Sequence, residues 1–377
     1  MLPENRVIGN YVKMMLNNTT SVFPTVTSYR QASEQHVALR TGLGIISFLS
    51  FTGNGSLVLM FFKNRDMLRT PYSMFILSLA VTDMTTGIGL ILTPAYIIGT
   101  YNFPIPSGFA GELFCRIVAS YFLVFYLGIV SVFTIACLAL ERWYAVARPA
   151  KYKASFKKTR VLGILSSVWL CSFALNLPQM FEMTLGPNGN CVWITLTEGR
   201  LRRAVAIIEF NGKFFIPLVV TSAAFINLGL RVRQSPALFK TNHGRAGIRL
   251  LRMCTVTAVV LAICWFPNQF YYLLFKFDIT LMDNPAHHFT VIMCMGNSCV
   301  NPFIYCATNK SYRKKFIKLL CPCWKRYVGP VDGTSESPRQ LHNSISGEGL
   351  DGDLFEGDIM MDPAELEQLK REWNNKN

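Results

Sequence analysis

The chain carries little charge for its length. Only 16% of its 377 residues are Asp, Glu, Lys or Arg, whereas 51% are hydrophobic and Phe alone occurs 28 times. A soluble protein this long would divide into two or three domains joined by polar connectors, and the scarcity of charge argues against that. The first 40 residues lack an apolar core followed by small residues, so no signal-peptide pattern is present; the first long apolar run is then expected to act as its own insertion signal. Paired Cys-x-x-Cys with His is absent, so no metal site is legible. Eight of the 11 cysteines lie in or beside apolar runs, where a free thiol behaves as a small hydrophobe. Apolar and polar residues do not alternate, which argues against a transmembrane β-barrel.

What is present is a set of seven apolar blocks, at 42–62, 72–99, 114–144, 161–181, 204–231, 248–275 and 287–307. Each reaches the ~20 residues that cross a bilayer as a helix. Inside lipid every backbone hydrogen bond must close within the segment, so helices are the expected form. The fold expected is therefore an all-α membrane protein, a bundle of seven transmembrane helices. Four segments follow: 1–41 ahead of the bundle, the bundle at 42–308, a membrane-surface segment at 309–323, and a tail at 324–377.

The net charge of +15 is unevenly spread, because residues 332 to 377 hold 11 acidic and 4 basic residues. A uniformly basic chain would suggest nucleic acid. Here the basic residues sit in short connectors, which points to a membrane surface and not to a nucleic-acid partner. Lys63, Arg65 and Arg69 follow the first block, and Arg148, Lys151, Lys153, Lys157, Lys158 and Arg160 the third. Arg231, Arg233, Lys240, Arg245, Arg249 and Arg252 fill the fifth connector, and Lys310, Arg313, Lys314, Lys315 and Lys318 follow the seventh block. The positive-inside rule places these ends in the cytoplasm. Arg200, Arg202 and Arg203 are one cluster on the other side, against four. The amino terminus is then extracellular and the carboxyl terminus cytoplasmic, in a multi-pass protein of the plasma membrane. Asn17 and Asn18 begin overlapping Asn-x-Ser/Thr glycosylation acceptors in the right compartment. Asn54-Gly55-Ser56 has the same form but lies within a block expected to be helical.

One motif per block then forms an ordered series. It runs Gly53-Asn54; Leu79-Ala80-Val81-Thr82-Asp83; Cys115 and Glu141-Arg142-Trp143 with Pro149; Trp169 and Pro178; Pro217; Cys264-Trp265-Phe266-Pro267; and Asn297-Ser298 with Asn301-Pro302-Phe303-Ile304-Tyr305. In this series, from about Gly42 to Cys323, the chain resembles the rhodopsin-like G-protein-coupled receptors. It departs from them in placing Trp143 where Tyr is usual, Phe225 where the fifth helix usually has Tyr, and Leu261 where the sixth usually has Phe. Cys115 precedes Arg142 by 27 positions against a common 25, and two extra residues would turn the helix top by about 200°. A bulge or an early helix start is therefore expected.

The resemblance implies roles for these residues, and physical chemistry supplies a plainer reading of each. Asp83 is a carboxylate near mid-membrane, costing roughly 2.5–3.5 kcal/mol unless compensated. By resemblance it faces Ser131, Asn297, Ser298 and Asn301 around one allosteric sodium ion; otherwise it is protonated or bonded to water. Asn297 and Asn301 are four apart and share a helix face. Glu141 and Arg142 would form a switch for G-protein coupling, or simply an interfacial ion pair. No acid stands near Gly244 to Gly247 to hold the sixth helix to Arg142. Trp265 with Pro267, and Pro302 with Tyr305, would be the moving parts, since proline removes a helix hydrogen bond and lets the helix bend. Cys115 and Cys191 would form a disulfide in an oxidising compartment.

After the seventh block, Ser311 to Leu320 reads as a short amphipathic helix on the lipid surface, followed by Cys321 and Cys323 as palmitoylation candidates. Met295 stands where a retinal-binding member carries Lys, and Val124 where an amine receptor carries Asp, so opsin and aminergic functions are disfavoured. The stretches around Arg142 and Trp265 look like those of neuropeptide receptors of the galanin, tachykinin and orexin type. An extracellular peptide ligand is therefore expected, with a receptor for lipid or another small molecule as the alternative and a membrane transporter as the reading from a different class. Gln179, Glu209, Asn211, Lys213, Trp265, Gln269, His287 and His288 are the ligand candidates, although Glu209 and Lys213 are four apart and can simply pair. No covalent chemistry and no cofactor beyond the sodium ion are called for, so the chain is not expected to be an enzyme. Residues 329–362 have the composition of a disordered segment, and Thr334, Ser335, Ser337, Ser344 and Ser346 would, once phosphorylated, suit arrestin-like partners. Residues 363–373 look like a short helix.

Overall fold

A computed structural model describes residues 26–93, 104–194, 199–234, 242–281 and 284–320. The glycosylation acceptors Asn17 and Asn18, the candidate acylation sites Cys321 and Cys323, and the acidic tail lie outside the described residues.

Among the described residues seven helices are long and apolar enough to cross a membrane, at Val37–Lys63, Pro71–Leu92, Gly108–Ala147, Lys158–Phe181, Gly199–Gln234, Gly247–Lys276 and Pro285–Thr308. They are called the first to seventh helices below. The first helix begins at Val26 and the sixth at Asn242, so both run past their apolar blocks. The second stops at Leu92, short of the 99 its composition allowed. The cause is Pro94: the residue before a proline is driven out of helical geometry, and Thr93 is extended at φ −85°, ψ 106°.

The helices pack in a ring, first on second, second on third, sixth on seventh, and seventh back on first. The third helix also meets the fourth, fifth and sixth, so it forms the core, with Val124, Ile129, Val132, Ile135 and Leu138 all buried. Side chains on the outside of the bundle are also apolar, including Phe48, Leu170, Ile226, Ile263 and Phe303. A soluble protein does not present so many large apolar groups around its whole girth; a lipid-facing belt does. The chain is a multi-pass membrane protein.

Two wide, π-helical turns interrupt the ring. In the third helix the break at Cys115–Ala119 is followed by Tyr121 in the left-handed region at φ 62°. It absorbs the surplus spacing between Cys115 and Arg142 that the sequence revealed. The Ser120 hydroxyl accepts the Phe122 N–H at 3.3 Å and restarts the helix. The carbonyls freed by the break are taken up from the fourth helix. Asn176 Nδ2 donates to Phe122 O at 3.0 Å, and Gln179 Nε2 donates to Ser120 O at 2.8 Å. The fifth helix has its own wide turn at Asn211–Phe215, ahead of Pro217.

Beyond the fourth helix lies a hairpin of β1 (Met183–Leu185) and β2 (Cys191–Trp193). A Cys115–Cys191 disulfide ties β2 to the third helix. At the opposite end, a short helix at Pro149–Ser155 follows the third, and Lys310–Leu320 forms a helix after the seventh. In the latter, Tyr312, Phe316 and Leu319 turn inward at i, i+4 and i+7, while Arg313 and Lys314 are exposed. That is one apolar stripe on a basic helix.

Candidate functional site

The bundle concentrates its buried polar groups at three levels. At mid-height Asp83 is fully buried. Ser131 Oγ donates to its Oδ1 at 3.2 Å, Asn301 Nδ2 donates to Oδ2 at 2.6 Å, and Ser298 is within reach of the same carboxylate. Asn297 is buried nearby on the seventh helix. The side-chain oxygens of Asn297 and Asn301 are both buried without a hydrogen-bond partner. Asn54 draws the first helix in, donating to Ser298 O at 2.8 Å and to Ser50 O at 3.0 Å. Its complete burial also removes the Asn54-Gly55-Ser56 acceptor from any glycosylating enzyme.

At the end opposite the disulfide, Arg142 forms a two-pronged ion pair with Glu141, and both are buried. The Tyr152 hydroxyl, from the short Pro149–Ser155 helix, donates to Glu141 and accepts from Arg142 at 3.3 Å. Burial, then the charge of Glu141, push the Tyr152 phenol above its usual range, so it keeps its proton and remains a donor. The guanidinium lies over the Tyr72 ring, 4.7 Å from its centre, a cation–π arrangement. Trp143 points away from this cluster and donates to Asn227 on the fifth helix at 2.9 Å. Neither Tyr152 nor Tyr72 stood out in the sequence. Tyr152 stands on a separate short helix beyond the end of the third, so the spacing from Glu141 does not reveal the contact, and an aromatic in an apolar block is indistinguishable from core.

Trp265 is buried in the sixth helix, one residue from Cys264 and two from Pro267. Its indole lies against Gly128 of the third helix, where any Cβ would fall inside the ring. Tyr305 is likewise buried in the seventh helix, its hydroxyl without a partner, its ring 6.0 Å from that of Tyr312.

Near the disulfide end, a turn or more beyond Trp265, the third to sixth helices enclose a cleft. It is lined by Asn176, Gln179, Glu209, Lys213, Gln269 and Tyr272, among others, with Phe125 and Phe210 as apolar walls. Four of the ligand candidates thus come together: Gln179, Glu209, Lys213 and Gln269. Glu209 and Lys213 pair at 2.7 Å, both buried. Asn211 does not join them; it turns back to its own helix, donating to Ile207 O at 2.8 Å. His287 also lies apart, stacked on Tyr271 with ring centres 5.6 Å apart. Tyr272 and its partners were missed. Its hydroxyl donates to Glu182, just before β1, at 2.9 Å, and Lys276 pairs with the same carboxylate. The hint in the sequence was charge at the ends of apolar blocks, where Glu182 and Lys276 stand. Glu112 anchors the same hairpin, accepting from the Thr184 hydroxyl at 2.9 Å and from Leu185 N–H at 2.8 Å.

Among the described residues no cluster of His, Cys, Asp and Glu could hold a metal ion of the kind those ligands favour.

A sequence profile of the family "7 transmembrane receptor (rhodopsin family)" matches residues 53–305. Among curated proteins, a bombesin receptor of Bombina orientalis is 28% identical over 331 residues, covering 78% of this chain and 82% of that receptor. A substance-K receptor of Canis lupus familiaris is 24% identical, covering 84% of this chain and 83% of its own. A type-1 angiotensin II receptor B of Xenopus laevis is 25% identical, covering 78% and 80%. With a profile that spans more than half the chain, from Gly53 in the first helix to Tyr305 in the seventh, the protein belongs to the rhodopsin family of seven-transmembrane receptors.

Proposed function

We propose that this chain is a plasma-membrane receptor for a peptide, coupling extracellular binding to heterotrimeric G proteins. The observation that carries the reading is a polar cleft at the disulfide end and a buried, clamped Arg142 at the other, joined by one continuous core along the third helix. The bombesin, substance-K and angiotensin II receptors among its relatives favour a peptide over a lipid or other small molecule. The basic connectors support a cytoplasmic position for Arg142. Ligand in the cleft shifts the population of bundle conformations: the sixth helix bends at Pro267, its cytoplasmic end moves outward, and Arg142 becomes available to the G protein.

A sodium ion fits the mid-height cluster, because Asp83 supplies charge and the unpartnered oxygens of Asn297 and Asn301, with Ser131, supply neutral ligands. Bound there, the ion would offset the carboxylate and favour the resting bundle. The inner-surface helix with its acylated cysteines would rest on membrane lipid, and the phosphorylated tail would engage arrestin-like proteins.

The test is expression with a promiscuous G protein, a neuropeptide library, and a calcium readout. A peptide response that is lost in Arg142→Ala, with surface expression retained, supports the reading. Silence of the surface-expressed receptor in every G-protein channel, with no basal signal, overturns it.

A further inference from the structure

The cleft near the disulfide end contains two buried oxygens that accept nothing. Glu209 is buried and gives its Oε1 to Lys213, while its Oε2 has no hydrogen-bond partner. Asn176 is fully buried, and its Nδ2 is committed to Phe122 O at the break in the third helix. Its Oδ1 has no donor, and Asn176 lines the same cleft as Glu209. A buried acceptor with no partner is costly, and two in one cleft, on different helices, describe what the cleft is shaped to receive. An occupant that satisfies both brings two hydrogen-bond donors, and a single NH2 group supplies two.

Charge narrows the chemistry further. Glu209 is balanced by Lys213, and Glu182 by Lys276, so the cleft and its rim are already neutral. A guanidinium or ammonium placed there would be a surplus buried cation, which is expensive in a low-dielectric site. A neutral donor group carries no such penalty. Lys213 has three N–H donors and spends one on Glu209, leaving donors for an acceptor on the incoming group. A group with an NH2 beside a carbonyl satisfies all three requirements, and Phe125 and Phe210 suit an apolar body attached to it.

We infer that this cleft recognises a primary carboxamide on its ligand, whose NH2 donates to Glu209 Oε2 and Asn176 Oδ1 and whose carbonyl accepts from Lys213. The inference rests on the cleft being the ligand site. Its carboxamide has two sources in a peptide, an amidated chain end or a Gln or Asn side chain.

The test uses thermal unfolding of the purified full-length receptor, which needs no signalling. The probes are N-acetyl-phenylalaninamide, N-acetyl-phenylalanine, its methyl ester, and N-acetyl-glutamine methyl ester. The expected result is a rise in Tm of about 2 °C or more at saturating amide, with none for the acid or the ester. A rise with the glutamine derivative instead assigns the carboxamide to a side chain. The shift should vanish in Asn176→Ala and in the charge-neutral pair Glu209→Gln with Lys213→Gln; should the pair fail to fold, Asn176→Ala decides. Equal shifts from amide and ester, a shift that survives Asn176→Ala, or no shift from either carboxamide would overturn the inference. Failure of receptor coupling itself is read separately, in the calcium assay with Arg142→Ala.

Discussion

At the scale of single residues, function rests on close approaches and on buried polar partners. Gly128 exists to let the Trp265 indole lie against the third helix. Gly128→Leu should force the two helices apart and cost about 1–3 kcal/mol or more by overpacking, seen as a lower Tm and a weaker ligand response. Tyr152 holds the Glu141–Arg142 pair from outside the helix. Tyr152→Phe removes a hydrogen bond to a carboxylate worth about 1.5–3 kcal/mol, so basal G-protein signalling should rise several-fold at equal surface expression; an unchanged basal signal would show that the tyrosine is not part of the clamp. The phenol's folded pKa lies above its unfolded value of about 10. Its contribution is therefore fully present below about pH 10 and lost as pH rises from there through the folded value, so the phenol's part in the clamp should not vary across physiological pH.

At the scale of elements, the breaks matter as much as the helices. The wide turn at Cys115–Ala119 rotates the outer end of the third helix so that Cys115 meets Cys191. It also frees the carbonyls that Asn176 and Gln179 bind, which is how the fourth helix is drawn into the cleft. The disulfide and Glu112 hold the β1–β2 hairpin from one side, and Glu182 holds the sixth helix from the other. Removing the bridge with Cys115→Ser and Cys191→Ser should lower stability by about 2–4 kcal/mol. Reductant should lower the Tm of the native chain and leave the double variant unaffected; equal sensitivity in both would refute a structural role. The spacing of 27 between Cys115 and Arg142 announced that a bulge or an early helix start was needed. It could not say where, because a surplus residue can be absorbed at any turn that finds partners for its freed carbonyls.

At the scale of the whole molecule, the mid-height cluster ties three helices together, because Asp83 joins the second, third and seventh through Ser131 and Asn301. With Asp83→Asn, sodium should no longer lower agonist affinity, whereas the native receptor should bind agonist less tightly as sodium replaces a larger cation at constant ionic strength. Persistence of the sodium effect in the variant would place the ion elsewhere. The number of spans, their motifs and the basic connectors were legible in the sequence, because lipid imposes a length and a composition on each helix that survive without any tertiary context. The start of a helix in polar sequence at Val26 was not, since ahead of the apolar block nothing marks it. By itself, the sequence determined the seven helices, the family, and the residues that are chemically out of place in a bilayer. Only the tertiary structure decided that Tyr152 and Tyr72 clamp Arg142, that Asn211 and His287 stand outside the cleft, and that Asn176 and Glu209, each with an unpartnered oxygen, line it together. Those outcomes depend on how neighbouring helices rotate and where they break, and rotation is set by packing between segments far apart in the chain.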